Sequence, residues 1–163
     1  MVRPIRALAL ATVGAVAGFM AAASFVKRAF PSRGDELSDE LGLVAVFDGI
    51  ELESSATSFR GGSVLAWYGG VSLDLREATL APGAHLTVHT LFGGVAIRVP
   101  SNWRLESNLQ SFAGGADVRP GSESLDAPTL TIDGRALFGG IAVGARLPAG
   151  HDAEEDEEEA PAT

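Results

Sequence analysis

The chain has 163 residues, 46% of them hydrophobic, with a mean hydropathy of +0.19 and a formal net charge of -9. Seven of the acids crowd between Asp152 and Glu159, so the rest of the chain is close to neutral and no basic surface is available for a phosphate backbone, which argues against nucleic-acid binding. The absence of cysteine excludes disulfides, thiolate metal sites, iron–sulfur clusters, a cysteine nucleophile and lipid attachment through sulfur.

Residues 1–6 form a short flank carrying Arg3 and Arg6. Ala7 to Val26 then runs uncharged to Lys27 and Arg28. A helix of that length spans about 30 Å, the thickness of a bilayer's hydrocarbon core, and its cationic flanks suit the headgroups. The competing reading is a cleavable signal peptide, with Ala21-Ala22-Ala23-Ser24 as the small-residue cleavage site. The run is longer than an ordinary signal core and ends in a stop-transfer flank, so residues 7–26 are expected to be a single transmembrane helix. Gly14 and Gly18 make a small-xxx-small pair that an alanine-rich helix also produces by chance. Cations flank both ends alike, so the positive-inside rule gives no orientation. Residues 27–42 read as a polar linker.

From Leu43 a pattern recurs: apolar strand, aromatic, glycine pair, apolar strand. It begins as Phe47-Asp48-Gly49-Ile50 and returns as Tyr68-Gly69-Gly70-Val71, Phe92-Gly93-Gly94-Val95, Phe112-Ala113-Gly114-Gly115-Ala116 and Phe138-Gly139-Gly140-Ile141. The last glycines fall at 49, 70, 94, 115 and 140, a spacing in the range of repeat architectures. The flanking strands alternate. Val71, Leu73 and Leu75 face one way and Ser72, Asp74 and Arg76 the other; Leu86 and Val88 oppose Thr87 and His89.

Two architectures fit. Each Gly-Gly is the turn of a β-hairpin, or each is a corner where the strand bends without reversing and coils stack as a solenoid. The recurrent aromatic favours the solenoid and predicts one interior ladder of Tyr68, Phe92, Phe112 and Phe138. In the hairpin, Phe92 contacts Val95 across its own turn instead. The expectation is therefore an all-β chain, a short parallel β-helix of about five coils over residues 43–148, with a disordered acidic tail at 149–163.

The stretch Leu91-Phe92-Gly93-Gly94-Val95-Ala96-Ile97-Arg98-Val99-Pro100-Ser101-Asn102-Trp103, with Ala136-Leu137-Phe138-Gly139-Gly140-Ile141, resembles the C-terminal domain of the LiaF-like proteins, the cell wall-active antibiotic response family of bacteria. The resemblance covers residues 43 to 147. It implies a short parallel β-helix attached to membrane helices, and a role in restraining a two-component histidine kinase that responds to envelope damage. Family members with that role carry several membrane helices, whereas this chain has one candidate, and the acidic tail is not part of the family pattern.

No catalytic constellation is present in the sequence. His85 and His89 point the same way from one strand but sit about 13 Å apart, too far to share a metal. No carboxylate pair has a partner for acid–base work, the serines lie in no nucleophile-elbow pattern, and the glycine pairs lack the helix and lysine of a phosphate loop. Trp67, Tyr68 and Trp103 could offer a glycan platform, or simply cover the coils. The tail is either a docking strip for a basic partner, a solubiliser, or a guard for the last coil's open edge. No catalytic, cofactor-binding or metal residue is assigned, and no cofactor is expected. The sequence points to a bacterial membrane-anchored, non-enzymatic regulatory or scaffold protein acting by protein–protein contact, with a sensor kinase or itself as partner and envelope-stress response as the implied setting. The alternatives are a self-assembling structural solenoid at the membrane and an exported glycan- or lipid-binding protein.

Overall fold

A computed structural model describes residues 31–119 and 121–145. These contain eight strands and no helix: β1 Glu40–Val46, β2 Gly49–Glu53, β3 Phe59–Trp67, β4 Gly70–Asp74, β5 Leu80–Arg98, β6 Arg104–Ser111, β7 Gly115–Arg119 and β8 Thr129–Gly144. The anchor expected over residues 7–26, its Gly14 and Gly18, and the tail from 149 lie outside the described residues. Among the described residues no helix is long and apolar enough to cross a membrane.

Every strand pair is parallel. That excludes the hairpin, which would place antiparallel strands on either side of each glycine pair. The chain is a β-solenoid of about four turns, fewer than the expected five coils. The difference is one of closure. The strands form levels at each aromatic-glycine corner, but among the described residues four return segments, 54–58, 75–79, 99–103 and the one between β7 and β8, close them. The corners fold the sheet into two walls. One wall stacks β1, β3, the first half of β5, the first half of β8 and β6; the other stacks β2, β4, the second halves of β5 and β8, and β7.

The order of coils along the solenoid differs from their order along the chain. β8 pairs with β5 on one side and with β6 and β7 on the other. After β5 the chain skips a level, lays β6 and β7 at the end of the stack, and returns with β8 to fill the gap. Each strand was expected beside its equivalent in the next coil; this holds through β5 and fails beyond it. Burial explains the exchange. β8 presents Leu130, Ile132, Ile141 and Val143, all buried, whereas β6 and β7 carry Glu106, Ser107, Asn108, Gln110 and Asp117, all exposed. A level with neighbours on both sides must bury apolar side chains, and a terminal level faces water on one side.

The interior is a ladder of aliphatic side chains. Leu43, Val64 and Val88 line up on one wall, and Val71, Val95 and Ile141 on the other. Each buried Leu or Ile contributes about 1.5–3 kcal/mol relative to exposure. Trp103 fills the end of a return segment at 3% exposure.

The β1 half of the first level is covered. Arg33 forms an antiparallel bridge with Gly42, donating to and accepting from it at 2.6 and 2.7 Å, and the Ser32 hydroxyl takes the Val44 N–H at 3.0 Å. The second half of the expected linker is thus part of the domain, and β1 begins at Glu40. The reason is the edge of β1, whose backbone groups need partners.

Candidate functional site

The corners build the most distinctive surface feature. Phe47, Tyr68, Phe92 and Phe138 stack in spatial order, with ring centroids 5.1, 4.5 and 4.9 Å apart. Phe112 closes the series edge-on, 6.0 Å from Phe138. The single aromatic ladder expected from the sequence therefore exists, but it lies outside. The rings are 37–44% exposed, and Phe112 is 69% exposed. Space at the inside of a bend is the physical cause. There the buried side chains are Ala45, Ala66, Thr90 and Ala136, all small, and the large residue two places on is forced outward. At Phe47 and Tyr68 the turn-out uses left-handed backbone, φ 53° and 54°.

The two glycine positions of the corners have different jobs, and only in the first level does a residue with a side chain, Asp48, take the first of them. A Cβ on Gly69, Gly93, Gly114 or Gly139 would run into the backbone carbonyl of the neighbouring level, so the first position must be bare for the coils to stack. The second glycines, Gly49, Gly70, Gly94, Gly115 and Gly140, meet no such obstacle. They open a groove of about 880 Å3 on the outer face of the second wall. Small side chains, Ser72, Ala96 and Ala142, continue its floor, and Glu51 and Asp117 mark its two ends. Along the margin, Asp74 binds Arg76 at 2.8 Å and lies 4.0 Å from Arg98, and Asp117 pairs with Arg119 at 2.9 Å. A flat apolar strip between an aromatic ridge and paired charges can receive another molecule's surface.

The residues weighed from sequence fall elsewhere. His85 and His89 lie on the outer face of the first wall, both exposed, and His85 meets Asp133 at 3.2 Å. His151 lies outside the described residues. Among the described residues no group of three or more His, Asp and Glu could hold a metal ion. Trp103 is buried, so it forms no platform with Tyr68; Trp67 and Tyr68 are tilted at 6.5 Å. A second, polar hollow lined by Glu36, Glu53, Asp74 and Glu77 is dominated by carboxylates, with Arg76 already engaged by Asp74.

No protein-family model and no curated protein matches the chain. Among solved structures, a candidate cell adhesion protein from Clostridium sporogenes ATCC 15579 aligns at 13% identity with a TM-score of 0.39, over 59% of this chain and 54% of that one. A likeness of that size carries no functional argument.

Proposed function

We propose that the chain is a membrane-anchored, non-enzymatic scaffold or regulatory module that acts by protein–protein contact through the groove and its aromatic ridge. The observation that carries this reading is the ridge itself. Six of the large hydrophobic side chains left exposed, Phe47, Tyr68, Phe92, Phe112, Leu137 and Phe138, gather at one corner of the solenoid, and clustered rather than scattered apolar exposure marks an interaction site. The uncharged run 7–26 supports the anchor, and the resemblance to the LiaF-like domain supports restraint of a sensor kinase in envelope-stress response as the setting.

Two alternatives are less well supported. Glycans stack on ring faces, but within the series the faces of Tyr68 and Phe92 are covered by their neighbours. Filament growth by end-to-end stacking is opposed at one end by Ser32 and Arg33, which bond the edge of β1, and at the other by the charged strands β6 and β7.

The test is replacement of Phe92 and Phe138 together by Ser in the full-length chain in its host membrane. The expected result is a chain that stays in carbonate-washed membranes, keeps its β-sheet circular dichroism, and loses control of an envelope-stress reporter. An unchanged reporter with a folded, membrane-bound variant refutes contact through the ridge.

A further inference from the structure

The second glycine of each corner is not explained by the fold of one chain. Gly49, Gly70, Gly94, Gly115 and Gly140 have no positive φ, and a Cβ on any of them would meet nothing closer than 3.8 Å. Glycine inside a strand is destabilising, since it gains no packing and loses more chain entropy on folding. A strand glycine often marks a bulge, a tight bend or the close approach of another backbone or a ligand; with no positive φ and open space at the Cβ position, the third fits these five. Here such glycines align through every level, beneath a groove and beside the aromatic ridge.

We infer that this face pairs with the same face of a second copy, each ridge seated in the partner's groove, about a two-fold axis parallel to the solenoid axis. The inference rests on the contact reading above and names its partner. The first argument is the repeat. The ridge has a period of 4.5–5.1 Å. An extended peptide lying along the groove presents side chains to one face about every 6.6 Å, and an α-helix advances about 5.4 Å per turn, so both fall out of step within a few levels. Another copy of this solenoid keeps step throughout.

The second argument is shape. Ridge and groove lie side by side and both run along the axis. A two-fold parallel to that axis brings each ridge onto the other copy's groove. A two-fold along the strands would set ridge against ridge and leave the grooves facing an empty space. The favoured pairing also keeps the Ser32 ends of both copies on the same side, as two chains anchored in one bilayer require. The face measures about 20 Å by 23 Å from strand spacing and rise, roughly 450 Å2 per copy. That is below the ~800 Å2 per partner of a standard complex. The pairing is therefore weak in dilute solution and depends on the raised effective concentration of tethered chains.

Because the chain has no cysteine, introduced thiols report without background. In this pairing, position 68 of one copy faces position 72 of the other at the same level. Full-length Tyr68→Cys and Ser72→Cys chains, differently tagged and co-expressed, should give a disulfide-linked mixed dimer in oxidised membranes. Neither variant alone should do so, and Gly94→Val with Gly140→Val should abolish the link while leaving the circular dichroism intact. Phe92→Cys with Ala96→Cys is the second pair if the first folds poorly. No mixed dimer from either folded pair overturns the pairing, as does equal crosslinking in the single variants, which would require another axis. A photoreactive residue at Ala96 separates the two levels of the argument. Adducts only to a different protein end self-pairing and leave the contact reading standing; absence of any adduct ends both.

Discussion

Phe92 and Phe138 stack with their ring planes 6° apart, although the whole of β6 and β7 separates them in the sequence. Phe112, which lies between them in the chain, meets Phe138 edge-on at the end of the series. A double-mutant cycle should reflect this order. Phe92→Ala with Phe138→Ala is expected to show a coupling of about 0.5–1.5 kcal/mol in urea unfolding, the range for aromatic pairs, whereas Phe92→Ala with Phe112→Ala, which touch only through Phe138, should couple more weakly. The reverse pattern would restore sequential coils.

The same exchange makes β6 and β7 dependents of β8, since each pairs with β8 and with no other strand. Deleting residues 121–163 should therefore leave residues 104–119 open to protease. The part from Glu40 to Arg98 should stay the more resistant, because its ladders β1–β3–β5 and β2–β4–β5 remain. Equal protection of 104–119 in the truncated chain would contradict the observed pairing.

The two glycines of a corner should respond oppositely to alanine. Gly93→Ala drives a methyl into the Gly69 carbonyl and should cost about 1–3 kcal/mol, as overpacking does. Gly94→Ala has open space and should be neutral or stabilising by up to about 1 kcal/mol through the unfolded chain. Urea midpoints of the two variants, measured on dilute protein, check the contrast.

The acidic tail has no edge of β8 to guard, because β8 is paired on both sides. The open edge of the last level belongs instead to β6 and β7. Deleting residues 152–163 should leave the self-association of a fragment beginning at Ser32 unchanged at moderate salt. A rise in sedimenting mass would mean that the tail shields another surface, with the open strands β6 and β7 first in line.

Asp35 offers a pH handle on the covered end. Its carboxylate accepts hydrogen bonds from the Ser38 hydroxyl at 2.8 Å and the Leu37 N–H at 3.2 Å, which hold its pKa below the ordinary 3.8. A folded pKa below the unfolded one stabilises fully above about pH 3.8 and loses that effect as pH falls through the folded value. The protection of the Leu37 and Ser38 amides, measured against their intrinsic exchange rates at each pH, should fall on acidification through that window. Asp35→Asn should show no such step.

The sequence by itself determined the strands and the corners. Alternation in Val71-Ser72-Leu73-Asp74 separates core from surface, and this is local: side chains of a strand point to opposite faces wherever it lies. It also held an unused sign of the outward ridge, since Ala45, Ala66, Thr90 and Ala136 each sit two places before an aromatic and leave no room for it inside. Tertiary structure decided the order of the coils. Any of these parallel strands can pair with any other of similar length, so the backbone ladder alone does not choose a neighbour. The choice falls to burial on two sides, which places Ile132 and Ile141 inside the stack and leaves Ser107 and Asp117 at its end. The groove likewise arises only when second glycines from separate coils meet at one face, because a bare glycine gains meaning as a surface from what stacks beside it.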